Sequence, residues 1–570
     1  MRLSEPTTLH DGGVTQRVVT PATSSFKTQE FERPRGTAFL ALVLVVGAFA
    51  VVLAGVNSDV FELERHSAPK TFALQVTALL CLSALLPRWR RMAPGIVEAL
   101  LATFVLWSAL STLFAANRWL ALDALGLSFS GLVLFLAARR VAASENARRF
   151  ALAGLAGAAA LAALLGVAQA YGLQLDWLAE DRPPGATFGN RNFLAHLLAI
   201  ALPPVLVGAL HARSRLTRLP SVLALTVMTA AIVLTRSRAA WLGLAAAMSI
   251  VFALTLLAQR RHPGTFRRRR ALAVTFALGL AALLAVVLPN RLAWRSESPY
   301  AETLARLADY GTGSGRGRVI QWRNSLRLVP ENPLLGVGPG NWFVHYPRVT
   351  QRGDPSFAGA DPIPTNPWPS SDWVATLVER GPIGMLLLLL AGLAAAIVAL
   401  RRVVVRESYA LTGSDAQNPE QVRTARAVAA LGVLAAAFVT GLFDAVLLLA
   451  APVFFVCTTL GLLLPATRPV MEWSLFQRRR RLVLGCTLLF GLLFTALSSG
   501  RLASLLVARS APTRAQLALA ARLDPGGHRV RLLLSRRGNC RERVRDAREA
   551  DGLMPYHDAP KRALRACGAR

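Results

Sequence analysis

Thirteen runs of about 20 apolar residues, each long enough to cross the hydrocarbon of a bilayer as a helix, dominate this chain. They start near Thr37, Thr71, Gly95, Trp119, Phe150, Phe193, Leu219, Ala239, Ala271, Pro382, Thr424, Ala445 and Leu482. Inside lipid every backbone N–H and C=O needs a partner within its own segment, so such runs form helices. The expected fold is therefore all-α and polytopic, with about 13 transmembrane helices. Only 17% of the 570 residues are charged and 54% are hydrophobic, whereas soluble domains carry about 25% charged residues. A soluble globular enzyme, a disordered chain and a disulfide scaffold are excluded. The first run is not a cleaved signal: it is too long, follows a polar lead, and lacks a clear small-residue cleavage site.

The formal net charge of +32, from 64 Lys and Arg against 32 Asp and Glu, would suggest nucleic acid in a soluble chain. Here it reports topology. With the N-terminus in the cytoplasm, the even-numbered connections are internal. They carry Arg88, Arg90 and Arg91; Arg139, Arg140, Arg148 and Arg149; Arg213, Arg215 and Arg218; Arg260, Arg261 and Arg267 to Arg270; Arg401, Arg402 and Arg406; and Arg478 to Arg481. The short odd-numbered connections are nearly bare of basic residues, and the one after the first run carries Asp59, Glu62 and Glu64. This is the positive-inside pattern, and most of the surplus charge fixes orientation against anionic lipid. It divides the chain into a cytoplasmic disordered tail (1–36), a membrane domain (37–499) with a large external loop (290–381) between runs nine and ten, and an external helical tail (500–570).

Long external loops are where irregular backbone can be solvated and where chemistry concentrates. The connection Thr235-Arg236-Ser237-Arg238 places two arginines on the wrong side for the charge pattern. They either snorkel to headgroups or form an anion site, since guanidinium forks match phosphate oxygens. The loop opens with Gly311-Thr-Gly-Ser-Gly-Arg316-Gly-Arg318, which lacks the ending of a P-loop. An amphipathic helix is expected to start after Arg318, with Val319, Trp322, Leu326 and Val329 on one face. Its N-terminus and Arg318 would both face an anion. Further on, Asp372 and Glu379 share a helix face at a spacing of seven. Asn190 and Asn192 precede run six, where His196 reads as a packing residue. Asp444 and Asp123 are intramembrane carboxylates, which are costly and point to function. Cys81, Cys457 and Cys486 lie in apolar runs and read as small core residues. The cysteine spacing offers no metal site, and neither a metal nor a cofactor is expected.

Four ordered signatures in residues 185–465 together resemble the O-antigen ligase and polymerase superfamily of bacterial inner-membrane glycan enzymes. They are Thr187-Phe-Gly-Asn190-Arg-Asn192-Phe-Leu-Ala; Ser237-Arg238 leading to Trp241-Leu-Gly; Gly317-Arg318-x-x-x-Trp322 running to Asn332-Pro-Leu-Leu-Gly-Val-Gly338-Pro-Gly; and Ser371-Asp372-Trp373 through Glu379 to Gly381-Pro-Ile-Gly384. The third is the most specific. The resemblance implies a GT-C-like transferase at the periplasmic face of the inner membrane. Its donor would be a glycan on polyprenyl pyrophosphate, and its acceptor a hydroxyl of lipid A core, glycan or protein. No nucleic acid is implied. By motif position Arg236, Arg238, Arg316 and Arg318 would bind the donor pyrophosphate, with Asn190, Asn192, Trp322 and Asp444 in support. The family's fourth signature usually begins with His, the suspected general base, but Ser370 stands there in this chain. Asp372, Glu379 or His345 would then take the proton. Ligase, polymerase and protein O-oligosaccharyltransferase remain open. The alternatives are a transporter or flippase for lipid-linked glycan, which would be expected to show inverted repeats, and an inactive family member. The tail segment Ala511 to Gly527 resembles a tetratricopeptide helix with its Asp-Pro turn, and two or three helices are expected there. Cys540 and Cys567 would face an oxidising compartment and pair as a disulfide.

Overall fold

The computed structural model describes residues 35–58, 63–86, 94–174, 182–212, 214–261, 268–294, 296–307, 309–350, 354–357, 367–405, 419–467 and 480–569. The expected N-terminal tail, 1–36, lies almost entirely outside the described residues. The described chain is all-helical. The first nine helices run from one membrane crossing to the next: α1 (Arg35–Leu53), α2 (Glu64–Leu85), α3 (Ile96–Thr112), α4 (Arg118–Val141), α5 (Glu145–Ala170), α6 (Arg191–His211), α7 (Arg215–Thr235), α8 (Arg238–Arg261) and α9 (Arg268–Val287). The long loop carries α10 (Pro299–Ala305), α11 (Gly313–Leu326) and α12 (Trp342–His345). Then come α13 (Asp372–Val404), α14 (Pro419–Phe443), α15 (Ala450–Leu463) and α16 (Arg480–Val507). The tail follows as α17 (Arg514–Leu523), α18 (His528–Leu534), α19 (Cys540–Leu553) and α20 (Asp558–Arg565).

Among the described residues, eleven helices are long and apolar enough to span a membrane, and α3 and α15 are shorter apolar helices. Together they match the thirteen expected runs, and the protein is a polytopic membrane protein. The α14 helix packs chiefly on α8 and α6, α15 on α4, α16 on α2, and α13 on α3 and α14. Alanine lines many of these seams. Ala158, Ala159, Ala162 and Ala163 of α5, and Ala427, Ala429 and Ala430 of α14, are buried. Small residues let helix backbones approach closely, which is what drives packing when lipid is as apolar as the protein.

The tenth crossing departs from expectation. The helix begins at Asp372 rather than Pro382, so the loop ends earlier than expected. Ser371 caps it, accepting from Val374 N. The reason lies at Gly381, whose backbone (φ 69°, ψ 178°) breaks the helix before Pro382. A proline has no N–H to give to the preceding turn, so the carbonyls of Val378 and Glu379 are released. They are taken up by the loop: Val337 N donates to Val378 O at 2.9 Å and Gly338 N to Glu379 O at 2.9 Å. Gly336, also at positive φ, sits so close that an added Cβ would strike the 378–380 backbone. From α3, Ser111 Oγ donates to Leu335 O and Glu379 O, and Trp107 Nε1 to Arg380 O. Gly-Val-Gly and Gly-Pro are thus two halves of one joint.

The amphipathic helix also differs from expectation. It starts at Gly313, so Arg318 lies within it and not at its N-terminus. Val319 and Leu326 are exposed, while Gly315, Gln321, Asn324 and Ser325 are buried. That polar face is buried because its partners are polar. Gln321 Nε2 donates to Ser356 Oγ, Asn324 Nδ2 to Asp354 Oδ2, and Trp342 Nε1 to Ser325 Oγ. Trp342 stacks on Tyr346 with centroids 4.3 Å apart, and the Tyr346 hydroxyl donates to Asp354 at 2.7 Å.

The tail has four helices, more than expected. Capping boxes start α17 (Thr513 with Gln516) and α19 (Asn539 with Glu542). The structure joins Cys540 to Cys567, which ties the start of α19 to the end of α20. The tail docks on the loop through Leu532, Met554 and Ala559, which share an apolar cluster with Leu328, Trp342 and Phe343. His528 and His557 both lie against the Phe343 ring, at 5.0 and 4.8 Å, and His557 Nε2 meets Phe343 O at 3.0 Å. Burial first, partly offset by that hydrogen bond, lowers the His557 pKa to about 4. A histidine whose docked pKa lies below its ordinary 6.5 favours docking fully above pH 6.5, and loses that contribution as pH falls toward 4. Docking should therefore weaken across pH 6.5 to 4 by on the order of 3 kcal/mol. Hydrogen exchange at 342–348 should accelerate in that window, and His557→Phe should reduce the response, leaving the part that His345 and His528 contribute.

Candidate active site

The loop end of the bundle brings the first and third signatures together around one carboxylate. Asp444 follows α14, and its Oδ2 lies 3.2 Å from Arg318 Nη2, 3.5 Å from Asn192 Nδ2 and 3.7 Å from His196 Nε2. The Arg318 and Asp444 side chains retain a little exposure (15% and 10%), whereas His196 has none. A solute can therefore reach the arginine and the carboxylate, with the imidazole behind them. His196 Nδ1 lies 3.2 Å from Ala445 O, a partner that only accepts, so Nδ1 carries the proton. Nε2 is then the bare nitrogen. It has no hydrogen-bond partner among the described residues and faces Asp444. Two acceptors facing each other are poised to share a proton that arrives from outside.

The turn carrying Asp444 is held by Asp372. This carboxylate is fully buried and accepts from Val446 N and Leu447 N, each at 2.9 Å. Ser371 Oγ donates to Gly441 O, and Trp373 Nε1 to Phe438 O, so the start of α13 is riveted to the end of α14. Ser370 has its backbone clamped by α11: its N–H donates to Gln321 Oε1 at 2.7 Å and its carbonyl accepts from Trp322 Nε1 at 3.1 Å. The Trp322 ring completes an aromatic wall with Tyr310 and Phe443.

The other arginines line the same region. Arg238 donates to Arg306 O, Asp309 O and Ser314 Oγ. Arg236, at the left-handed end of α7, donates to Thr303 and lies 3.5 Å from Glu302. Arg236 and Arg191 both stack on the Trp294 ring, at 4.6 and 4.7 Å. Arg316 is exposed. Asn190 caps α6 through Asn192 N. Below it, Thr187 accepts from the buried Lys70, which fixes the loop against α2.

Glu379 and His345 stand apart from this cluster. Glu379 is buried in the joint described above, 3.3 Å from Arg380 and accepting from Trp342 N at 3.4 Å. His345 packs on Tyr556 of the tail, and burial, with Arg348 beside it, pushes its pKa down to about 4. A base that weak holds few protons at neutral pH. Asp123, the second intramembrane carboxylate, pairs with Arg501 at another part of the surface. His196 and Arg191 are the residues that sequence reasoning left out of the site. Their signal was available: Arg191 opens α6 beside Asn192, and His196 follows one turn further along.

Among known protein families, residues 223–389 match the O-antigen ligase family. No curated protein matches the chain. The matched range contains Arg236, Arg238, Arg318 and Asp372. It does not reach Asn192, His196 or Asp444, which the fold nonetheless places against it.

Proposed function

We propose, from the match of residues 223–389 to the O-antigen ligase family, that this protein transfers a glycan from polyprenyl pyrophosphate to an acceptor hydroxyl at the external, periplasmic face of the inner membrane. The observation that carries this reading is Asp444, one carboxylate touching both a guanidinium for the leaving group and an imidazole for the proton. The acceptor oxygen attacks the anomeric carbon while the bond from that carbon to the pyrophosphate oxygen breaks. The electron pair leaves with the pyrophosphate, and the hydroxyl proton passes to Asp444, with His196 behind it to share the charge. Arg318 and Arg238 meet the charge growing on the leaving phosphate, with Arg236 and Arg191 flanking it. Fixed donors aimed at developing charge supply the largest part of many enzymes' rate. The aromatic wall of Tyr310, Trp322 and Phe443 offers ring faces to a sugar.

Asp372, Glu379 and His345 act in this scheme by holding the turn, the joint and the loop in place. The test is deletion of the gene followed by profiling of surface polysaccharide and glycoprotein. Loss of one polymer, restored by wild type and not by Asp444→Asn, is the expected result. An unchanged profile, or rescue by the variant, would overturn the assignment.

A further inference from the structure

A cleft with a largely apolar lining and charged groups in its walls opens at the loop end of the bundle, between α2, α4, α16 and the tail. Its walls pair opposite charges. Arg501 binds Asp123, and Arg529 lies 3.2 Å from Glu64, with each of the four side chains about a fifth to a third exposed. Each therefore keeps unused donors or lone pairs toward the cleft. Asp524 adds a third carboxylate. Burial pushes its pKa up against the pull of Arg501, so a hydroxyl donating to it would relieve a real desolvation cost. Trp119 stands at the wall, 40% exposed. Opposite it, Gly526 sits so close to the Trp119 side chain that an added methyl would collide, so the turn after α17 can be only backbone there.

His528 also lies at the cleft, with its ring against Phe343 and its Nε2 closed off from the opening. Three carboxylates against two guanidiniums leave a charge near balance, which fits neither a phosphate nor a cation. Mixed fixed donors and acceptors beside an indole face suit a sugar ring, whose hydroxyls both give and accept and whose C–H face packs on aromatics.

We propose that this cleft is a saccharide subsite, holding a unit of the acceptor glycan away from the bond being made. The proposal rests on the glycan-transfer reading for the identity of the chain that occupies it. Anchoring a remote unit would supply binding energy that orients the acceptor hydroxyl.

The test uses the full chain in nanodiscs and, as probe, oligosaccharides released by mild acid from the surface polysaccharide of the encoding organism. Binding is read by saturation-transfer NMR. Asp524→Asn and Arg529→Gln should each weaken binding about tenfold, the loss expected for one hydrogen bond to a charged or buried group. Arg318→Ala should leave it unchanged. In transfer assays the two cleft variants should raise KM for the acceptor with kcat nearly preserved. Docking of the tail, read by proteolysis, identifies any variant that has simply come undone, and Trp119→Phe then serves as the milder replacement. No binding by wild type, or equal binding by wild type and all three cleft variants, would overturn the subsite. If wild type binds the probe through the cleft yet transfers nothing, the transfer reading fails and the saccharide site stands.

Discussion

Arg318→Ala should abolish glycan transfer. Among the cluster arginines, Arg318 is the one that contacts Asp444, so its removal deletes leaving-group stabilisation and also leaves a mostly buried carboxylate uncompensated. Loss of one preorganised donor to a developing anion costs about 10²- to 10³-fold in rate. Loss of the partner of a buried charge costs on the order of 3–5 kcal/mol of stability. The two effects separate in the double variant Arg318→Ala/Asp444→Asn, which should recover protein abundance and no activity. Arg318→Lys should fall between, because an ammonium keeps the charge but cannot present two parallel donors. Single-turnover transfer with purified lipid-linked donor, alongside membrane abundance, reads all four proteins. Near-normal transfer by Arg318→Ala at normal abundance would remove Arg318 from the donor site.

The fold was almost wholly legible because lipid leaves few choices: apolar length and arginine placement fix helices regardless of what they pack against. The joint at Gly336, Gly338, Gly381 and Pro382 was legible only as turn chemistry. Which turn met which carbonyl depends on a contact across the loop. The amphipathic reading of α11 failed for a related reason. Hydrophobic periodicity finds a core-facing side only where the core is apolar, and here Gln321, Asn324 and Ser325 face a polar cluster around Asp354. In the site, residue type was informative and partnership was not. Asp372 read as a loop carboxylate sharing a helix face with Glu379, and Asp444 as a costly intramembrane one. Only the fold separates one sealed by two backbone N–H groups from one that touches Arg318 and His196. His196 was set aside because a lone histidine on an apolar helix is ordinary. Its meaning comes from Asp444, far away in sequence.

That separation yields the second large effect. Asp444→Asn should lower kcat by about 10²- to 10⁴-fold, the range for loss of a positioned acid–base group. It should also lose the acidic limb of the pH–rate profile, because an amide cannot take the acceptor proton. Asp372→Asn keeps a hydrogen-bonding oxygen for Val446 N or Leu447 N but gives up the charge assistance to both. It should cost a smaller factor, about 10-fold for each weakened hydrogen bond at most, with the pH profile unmoved. His196→Gln should leave substrate affinity intact and shift the profile, since it acts through Asp444 and sits behind it. The contrast is decisive because the two aspartates contact opposite ends of one short turn, so a general disturbance of that turn would affect both alike. If Asp372→Asn proves the severer lesion and alone deletes the acidic limb, the proton goes to Asp372, and Asp444 is left as the counterion of Arg318.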